Sequence, residues 1–149
     1  MLLSDVFDKR LILPDLKSST KEAVFAELIE AIAAVHPEFD RKEMFSVIQE
    51  RENKMNTEIV PGVAIPHGCY RGTNKVIGAI GISKAGVNYD ALRREQIHFV
   101  FLILMGEASR EKHLNVLNRI LSLINSGALA SIGNAESTQE VYDILFRFR

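Results

Sequence analysis

Cysteine and tryptophan are nearly absent from this sequence. Its 149 residues include one cysteine, Cys69, and no tryptophan. A single cysteine cannot form an internal disulfide. The longest apolar runs, such as residues 99–105, fall far short of the roughly 20 residues that a membrane helix needs. The first residues, MLLSDVFDKR, are charged and lack the apolar core of a signal peptide. These absences predict a soluble, cytoplasmic protein that does not insert into the membrane.

A surplus of either charge is also absent. The sequence has 18 lysine and arginine residues against 19 aspartate and glutamate residues, a formal net charge of −1. Without a basic surplus, a nucleic-acid-binding surface is not expected. Hydrophobic residues make up 47% and charged residues 25% of the chain, as in an ordinary globular protein. A chain of this length suits one core, so we predict a single domain over residues 1–149.

Capping signals that precede apolar residues at helical spacing predict two helices in the first third of the chain. The first has a capping box over residues 19–22 and should end at His36, because proline disfavours helical geometry in the residue before it. The second starts after Asp40 and is expected to end near Arg51. Residues 52–62 are polar and finish in Pro-Gly, which predicts a loop.

Two further helices are predicted in the last third. One runs over about residues 109–124, with Gly127 as a stop, and the other follows a cap at Ser137. The stripe that should face the core in the earlier of these helices consists of Leu114, Leu117, Leu121 and Ile124, widened by Val116 and Ile120.

Between the two helix pairs lie the predicted strands. VIGAIGIS (residues 76–83) and IHFVFLIL (residues 97–104) are nearly continuous apolar runs, which are typical of strands covered on both faces. A short strand is predicted at residues 63–65, and residues 84–96 are predicted to form a hairpin or a wide loop. The order of elements indicates an α/β fold in which a sheet is sandwiched between helices.

The chain has four histidines, and two of them are candidates for chemistry. His67 lies between a proline and a glycine in VPGVAIPHGCYRG. Pro66 fixes one backbone angle before it and Gly68 leaves the backbone after it free, so the side chain can be held at the end of a strand. His113 is expected at the border of the apolar stripe of its helix. His36 is explained as a residue at a helix end, and His98 as a histidine at a strand edge whose hydrogen bonds are satisfied.

Two histidines and an arginine could form a site for phosphoryl transfer. A neutral imidazole is a nucleophile near pH 7 and can accept a phosphoryl group directly. Arg51 could bind phosphate through the paired donors of its guanidinium group. The alternative is that Arg51 is an ordinary solvated arginine at a helix end. Spacing alone does not show that Arg51, His67 and His113 meet.

Metal and cofactor motifs are missing. The sequence has no HxH, HExxH or CxxC pattern, and His67 with Cys69 would supply only two of the three or four ligands that zinc needs. GAIGIS lacks the lysine of a phosphate-binding loop and the dinucleotide fingerprint. We therefore expect no metal and no cofactor.

Two stretches resemble the EIIA domain of the bacterial phosphoenolpyruvate-dependent phosphotransferase system. RENKMNTEIVPGVAIPHG, residues 51–68, is similar to the signature of the fructose/mannitol class, which includes the nitrogen-regulatory EIIA proteins. FVFLILMGEASREKHLNVLNRI is similar to that family's apolar strand, loop and His-Leu-x-x-Leu helix. The sequence departs from the usual small-residue turn in KMNTEIVPG, where Thr57 and Gly62 are kept, and Cys69 and Tyr70 separate His67-Gly68 from Arg71.

The resemblance implies a mixed sheet flanked by helices and a role for each candidate residue. His67 would be the phosphoryl acceptor, His113 the second active-site histidine, and Arg51 the arginine near the phosphate. The implied phosphotransferase takes its phosphoryl group from an HPr-type phosphocarrier protein. It then passes the group to an EIIB domain or keeps it as a signal to regulatory target proteins.

Three functions remain open at this point. A stand-alone, nitrogen-regulatory-like EIIA is favoured by the beginning of the chain, LLSDVFDKRLIL, which resembles such members. The alternative is the EIIA component of a fructose/mannitol-type sugar-uptake system that passes phosphate to a separate EIIB. A binding module that kept the fold without being phosphorylated is the third hypothesis.

Overall fold

Six strands form one mixed sheet in the computed structural model, which describes residues 2–89 and 96–148 apart from the side chain of Arg110. They are β1 (Phe7–Leu13), β2 (Glu58–Val60), β3 (Val63–Ala64), β4 (His67–Cys69), β5 (Val76–Val87) and β6 (Ile97–Met105). The order is β1-β5-β6-β3-β2, and β4 also pairs with β6. β1 is parallel to β5, β5 is antiparallel to β6, and β3 and β4 are both parallel to β6.

Helices cover both faces of this sheet. They are α1 (Leu3–Val6), α2 (Lys21–Val35), α3 (Arg41–Lys54), α4 (Arg110–Asn125), α5 (Ala128–Gly133) and α6 (Thr138–Arg147), with a 3-10 turn at Glu107–Ser109. One apolar core lies between the sheet and α2 with α3. The other lies between the sheet and α1, α4, α5 and α6. The predicted α/β class and the burial of the long strands on both faces are confirmed.

The start of α2 differs from the predicted capping box. The helix begins at Lys21, and Thr20 precedes it without a side-chain capping bond. The chain is extended here because Thr20 bridges to Asn88, whose backbone N–H donates to the Ser19 carbonyl at 2.8 Å. The end of α2 is as predicted, since His36 follows its last residue.

The end of α3 was also predicted wrongly. Asp40 caps the helix by accepting the Glu43 backbone N–H at 3.1 Å, as predicted, but the helix continues past Arg51 to Lys54. Glu52 is polar yet buried, and polarity at this position therefore does not mark a loop. β2 likewise lies inside the segment predicted to be a loop.

The inward face of α4 is rotated relative to the predicted stripe. Val116, Ile120 and Leu123 are fully buried, whereas Leu114 is 61% exposed. The line that faces the sheet starts at His113, which is itself buried. α6 begins as predicted, with the Ser137 hydroxyl accepting the Glu140 backbone N–H at 3.2 Å.

Among the helices and strands of the described residues, α1, β1, β2, β4 and α5 were not predicted. In β1 the successive charged residues Asp8, Lys9 and Arg10 hide the strand pattern, since only its ends are buried. β5 runs on to Val87, through the start of the predicted hairpin or loop, and the part of that prediction at residues 90–95 lies outside the described residues.

Candidate functional site: a histidine pair at one end of β6

His67 is the first residue of β4 and is held against the last third of β6. It pairs with Ile103, whose backbone N–H donates to the Pro66 carbonyl at 2.9 Å. The His67 ring is half-buried, and its Nδ1 lies 2.7 Å from the Ile65 carbonyl oxygen. Because a carbonyl can only accept, Nδ1 carries the ring proton. Nε2 is therefore left with a free lone pair.

Gly68 lets α3 approach this strand closely. A Cβ at Gly68 would lie 2.9 Å from the Val47 carbonyl oxygen, a distance that real Cβ atoms essentially never show. The close approach brings the last turns of α3, with Arg51, against the segment that carries His67.

His113 reaches the same place from α4. It is 5% exposed, and its ring centroid lies 5.1 Å from that of His67, with the ring planes at 42°. Its Nδ1 is buried and has no hydrogen-bond partner among the residues the structure describes. The start of α4 is tied to the turn after β4, because the Ser109 hydroxyl donates to the Asn74 carbonyl at 2.5 Å.

Both rings are kept neutral at pH 7 by their surroundings. Burial, and to a smaller extent the nearby His67, lower the pKa of His113 to about 4. Burial is also the main cause that lowers the pKa of His67. The charge on Arg51 acts in the same direction, whereas the bond to Ile65 and the charge on Glu52 raise the pKa of His67.

Arg51 lies in the last turns of α3 and is half-buried. Its Nη1 donates to the Met55 carbonyl at 2.9 Å, so the guanidinium group is held beside the end of the helix. The positive charge of Arg51 lowers the pKa of His67, so the two side chains lie near each other. The structure therefore brings together the three residues that the sequence analysis singled out.

Two other histidines have structural partners, and Cys69 lies in the same short strand as His67. His36 stacks on Phe39 with ring centroids 4.7 Å apart. His98 lies in β6, and its Nδ1 is 2.7 Å from the Ser83 carbonyl oxygen. Cys69 is a half-buried free thiol in β4.

Sequence reasoning missed a set of buried polar residues next to this site. We call Lys21, Glu52, Thr57 and Tyr89 the buried polar cluster. Glu52 is 5% exposed and accepts two hydrogen bonds from Thr57. The available signal was the spacing of Met44, Ile48 and Glu52, because residues four apart lie on the same face of a helix and the first two are apolar and buried.

Within residues 2–89 and 96–148, no group of three or more histidine, cysteine, aspartate or glutamate side chains is arranged to hold a metal ion. No helix in the same parts of the chain is long and apolar enough to cross a membrane.

Known sequences match this chain over nearly its whole length. The sequence model of the family described as "Phosphoenolpyruvate-dependent sugar phosphotransferase system, EIIA 2" matches residues 5–147. The fructose-specific EIIABC component of Bacillus subtilis is 30% identical over 97% of this chain, which spans 23% of that longer protein. A nitrogen regulatory protein of Bradyrhizobium diazoefficiens is 28% identical over 97% of this chain and 95% of its own length.

Solved structures share the fold. The nitrogen regulatory protein IIA-Ntr of Neisseria meningitidis superposes with a TM-score of 0.86 at 24% identity, covering 96% of this chain and 98% of that one. Enzyme IIA of the mannitol system of Escherichia coli, solved in complex with phosphorylated enzyme IIB, superposes with a TM-score of 0.75 at 16% identity, covering 95% and 99%. The chain belongs to the EIIA 2 family of the phosphoenolpyruvate-dependent sugar phosphotransferase system, whose members among its relatives include both nitrogen regulatory proteins and fructose-specific EIIA components.

Proposed function

We propose that this chain is a phosphotransferase of the nitrogen-regulatory type that carries a phosphoryl group on Nε2 of His67. The whole chain acts as one EIIA domain, and the cytoplasmic location predicted from the sequence is part of the proposal. The observation that carries it is the hydrogen bond from Nδ1 of His67 to the Ile65 carbonyl. That bond fixes the proton on one nitrogen and leaves the other as the nucleophile.

Phosphoryl transfer can be written in one step. The Nε2 lone pair of His67 attacks the phosphorus of a phosphohistidine on an HPr-type carrier, and a new P–N bond forms. The old P–N bond breaks, and its electron pair stays on the donor's ring. The proton stays on Nδ1 of His67, which donates it to the Ile65 carbonyl oxygen, so the phosphorylated ring carries a positive charge beside the negative phosphoryl oxygens.

His113 and Arg51 act on those oxygens. Since Nδ1 of His113 has no partner among the described residues, a neutral ring can carry its proton on Nε2 and donate it to the phosphoryl group. Arg51 would exchange the Met55 carbonyl for a phosphoryl oxygen. Both groups offset charge that develops during transfer. Each preorganised donor of this kind lowers the activation barrier by about 2–4 kcal/mol.

Exposed apolar side chains near these residues suit docking of a protein partner. Leu114, next to His113, is 61% exposed, and Met55, whose carbonyl holds Arg51, is 69% exposed. Methionine and arginine are enriched at protein interfaces, and both Met55 and Arg51 lie at this site. We propose that the HPr-type donor and the downstream protein bind over this surface in turn.

The regulatory role is favoured over sugar uptake because several relatives that match most of this chain are named nitrogen regulatory protein. The nitrogen regulatory protein of B. diazoefficiens matches this chain along 95% of its own length, and such a protein would pass its signal to regulatory targets. The second candidate, delivery to an EIIB domain in fructose uptake, is favoured by the 30% identity to the EIIABC component of B. subtilis. Enzyme IIA of the mannitol system, which has this fold, was solved with its phosphorylated IIB.

The decisive experiment combines the pure protein with phosphoenolpyruvate, Enzyme I and an HPr-type carrier, and follows intact mass. One acid-labile phosphoryl group should be added to the wild type and none to His67→Ala. His113→Ala and Arg51→Ala should slow the transfer by an amount equal to about 2–4 kcal/mol in barrier height. His98→Ala serves as the matched control and should transfer at the wild-type rate.

Phosphorylation of His67→Ala at the full rate would refute the assignment of the acceptor. An unmodified wild type with several HPr-type donors would favour the third hypothesis, a binding module that is not phosphorylated. Pull-down of EIIB domains by the phosphorylated form separates sugar uptake from regulation.

A further inference from the structure

We propose that the buried polar cluster of Lys21, Glu52, Thr57 and Tyr89 positions His67 for phosphoryl transfer, by fixing the carbonyl group to which its ring donates. The inference rests on the proposed function of His67. It adds to that function a set of residues that do not touch the phosphoryl group and act through the backbone.

The cluster is organised around the carboxylate of Glu52, whose side chain is 1% exposed. One carboxylate oxygen, Oε1, accepts the Thr57 backbone N–H at 3.1 Å, and the other, Oε2, accepts the Thr57 hydroxyl at 2.6 Å. Lys21 Nζ lies 3.3 Å from Oε1 and supplies the balancing charge. Thr57 is therefore held by both its backbone and its side chain.

Tyr89 contacts the cluster at the Thr57 hydroxyl. Its hydroxyl lies 3.1 Å from the Thr57 hydroxyl oxygen. Because the single Thr57 hydroxyl proton already goes to Glu52, Tyr89 is the donor in this bond. Burial raises the pKa of Tyr89, which keeps its proton in place, and Lys21 Nζ lies 4.4 Å from the centroid of its ring.

One backbone hydrogen bond and one bond from the His67 side chain connect Thr57 to the His67 ring. The Thr57 carbonyl accepts the Ile65 backbone N–H at 3.0 Å. The Ile65 carbonyl in turn accepts the Nδ1 proton of His67 at 2.7 Å. Ile65 is thus held at its N–H by Thr57 and presents its carbonyl to the ring in one orientation.

Stability alone is a poor explanation for such a cluster. Replacing a buried ion pair by apolar side chains of similar volume is often neutral or stabilising, because desolvation offsets the attraction between the charges. The Ile65 carbonyl keeps one direction only if the backbone of Ile65 is itself held, which the Thr57 carbonyl does by accepting the Ile65 N–H. If that direction is lost, the His67 proton can move to Nε2, and a protonated Nε2 has no lone pair with which to attack phosphorus.

The test compares Thr57→Val with Thr57→Ser by nitrogen-15 NMR of the histidine rings. The measurement is the ratio of the two neutral tautomers of His67 in the unphosphorylated protein. Valine keeps the shape and removes the hydroxyl, whereas serine keeps the hydroxyl. Thr57→Val should raise the ratio of the Nε2-protonated to the Nδ1-protonated tautomer about tenfold and slow phosphorylation in proportion to the fall of the Nδ1-protonated fraction, and Thr57→Ser should restore both values.

The matched control is Thr138→Val. The Thr138 hydroxyl donates to the Ile12 carbonyl at 3.1 Å, at the strand β1 on the opposite edge of the sheet. This variant also loses a hydroxyl group, and it should lose stability without changing the His67 tautomer ratio. A change of that ratio in Thr138→Val would show that the ratio reports general loosening, and would overturn the proposal.

A wild-type tautomer ratio in folded Thr57→Val also overturns the proposal. If Thr57→Val does not fold, Glu52→Gln replaces it, because the amide nitrogen cannot accept the second bond from Thr57. An unchanged ratio in Glu52→Gln has the same meaning. The tautomer measurement needs no phosphoryl donor, so its failure is distinct from failure of the wild type to be phosphorylated.

Discussion

Substituting Gly68 by alanine should slow phosphoryl transfer by moving a helix rather than by changing a reactive group. The new Cβ would lie 2.9 Å from the Val47 carbonyl oxygen, against 3.4–4 Å for an ordinary contact. Val47 O belongs to the backbone of α3 and cannot rotate away. The helix must therefore shift by about half an ångström, taking Arg51 with it.

The size of both effects follows from that shift. Forcing an extra methyl group into a packed contact costs about 1–3 kcal/mol of unfolding free energy. A misplacement of about 1 Å can reduce a rate about a hundredfold, so half that displacement of Arg51 should reduce the rate of phosphorylation roughly tenfold.

Urea unfolding and the initial rate of phosphorylation by an HPr-type carrier measure the two effects. Gly133→Ala is the control, because its Cβ would meet only the ring of Phe99, at 3.2 Å, and it should transfer at the wild-type rate. Wild-type stability and rate in Gly68→Ala would refute the argument that this close approach sets the position of Arg51.

Two further predictions concern buried charge. Since the pKa of folded His113 is about 4, below the value of about 6.5 in an unfolded chain, the unfolded chain binds the proton more readily between these pH values. The contribution of His113 to stability should be complete above pH 6.5 and fall by at most about 1.4 kcal/mol per pH unit down to pH 4. Urea unfolding should therefore show a smaller loss of stability in His113→Gln than in the wild type over this range; equal slopes would contradict the assignment. Lys21→Met leaves the buried Glu52 carboxylate without its ion pair and should cost about 3 kcal/mol of unfolding free energy, whereas Lys17→Met, at an exposed pair with Asp15, should have no measurable effect. Equal stability of the two variants in thermal unfolding would show that Glu52 does not need Lys21.

Features that depend on one short segment were predictable from the sequence. The proline before His67 and the glycine after it indicated a ring at a strand end, and His67 is the first residue of β4. The apolar run of β6 indicated a strand covered on both faces. Asp40 and Ser137 were recognised as caps because a cap depends only on residues within one turn.

Features that depend on distant partners were not predictable in this way. The capping box expected over residues 19–22 is absent because Asn88 pairs with the chain at Thr20. Glu52 looked like a loop residue because the partner that balances its charge, Lys21, comes from another helix. The inward face of α4 could not be read from its leucines, since burial of His113 in the site sets the rotation of the helix.

The pairing of β4 with β6 also has a consequence for the order of folding. β4 joins β6 in parallel, and a parallel pairing between segments far apart in the chain closes late because its loop entropy is paid before its contacts form. The ladder between β5 and β6 is longer and antiparallel and can form without β4. Hydrogen exchange should therefore find amides of β4 opening before those at the centre of β6. A partly destabilised protein would keep its central sheet while the histidine pair had already come apart.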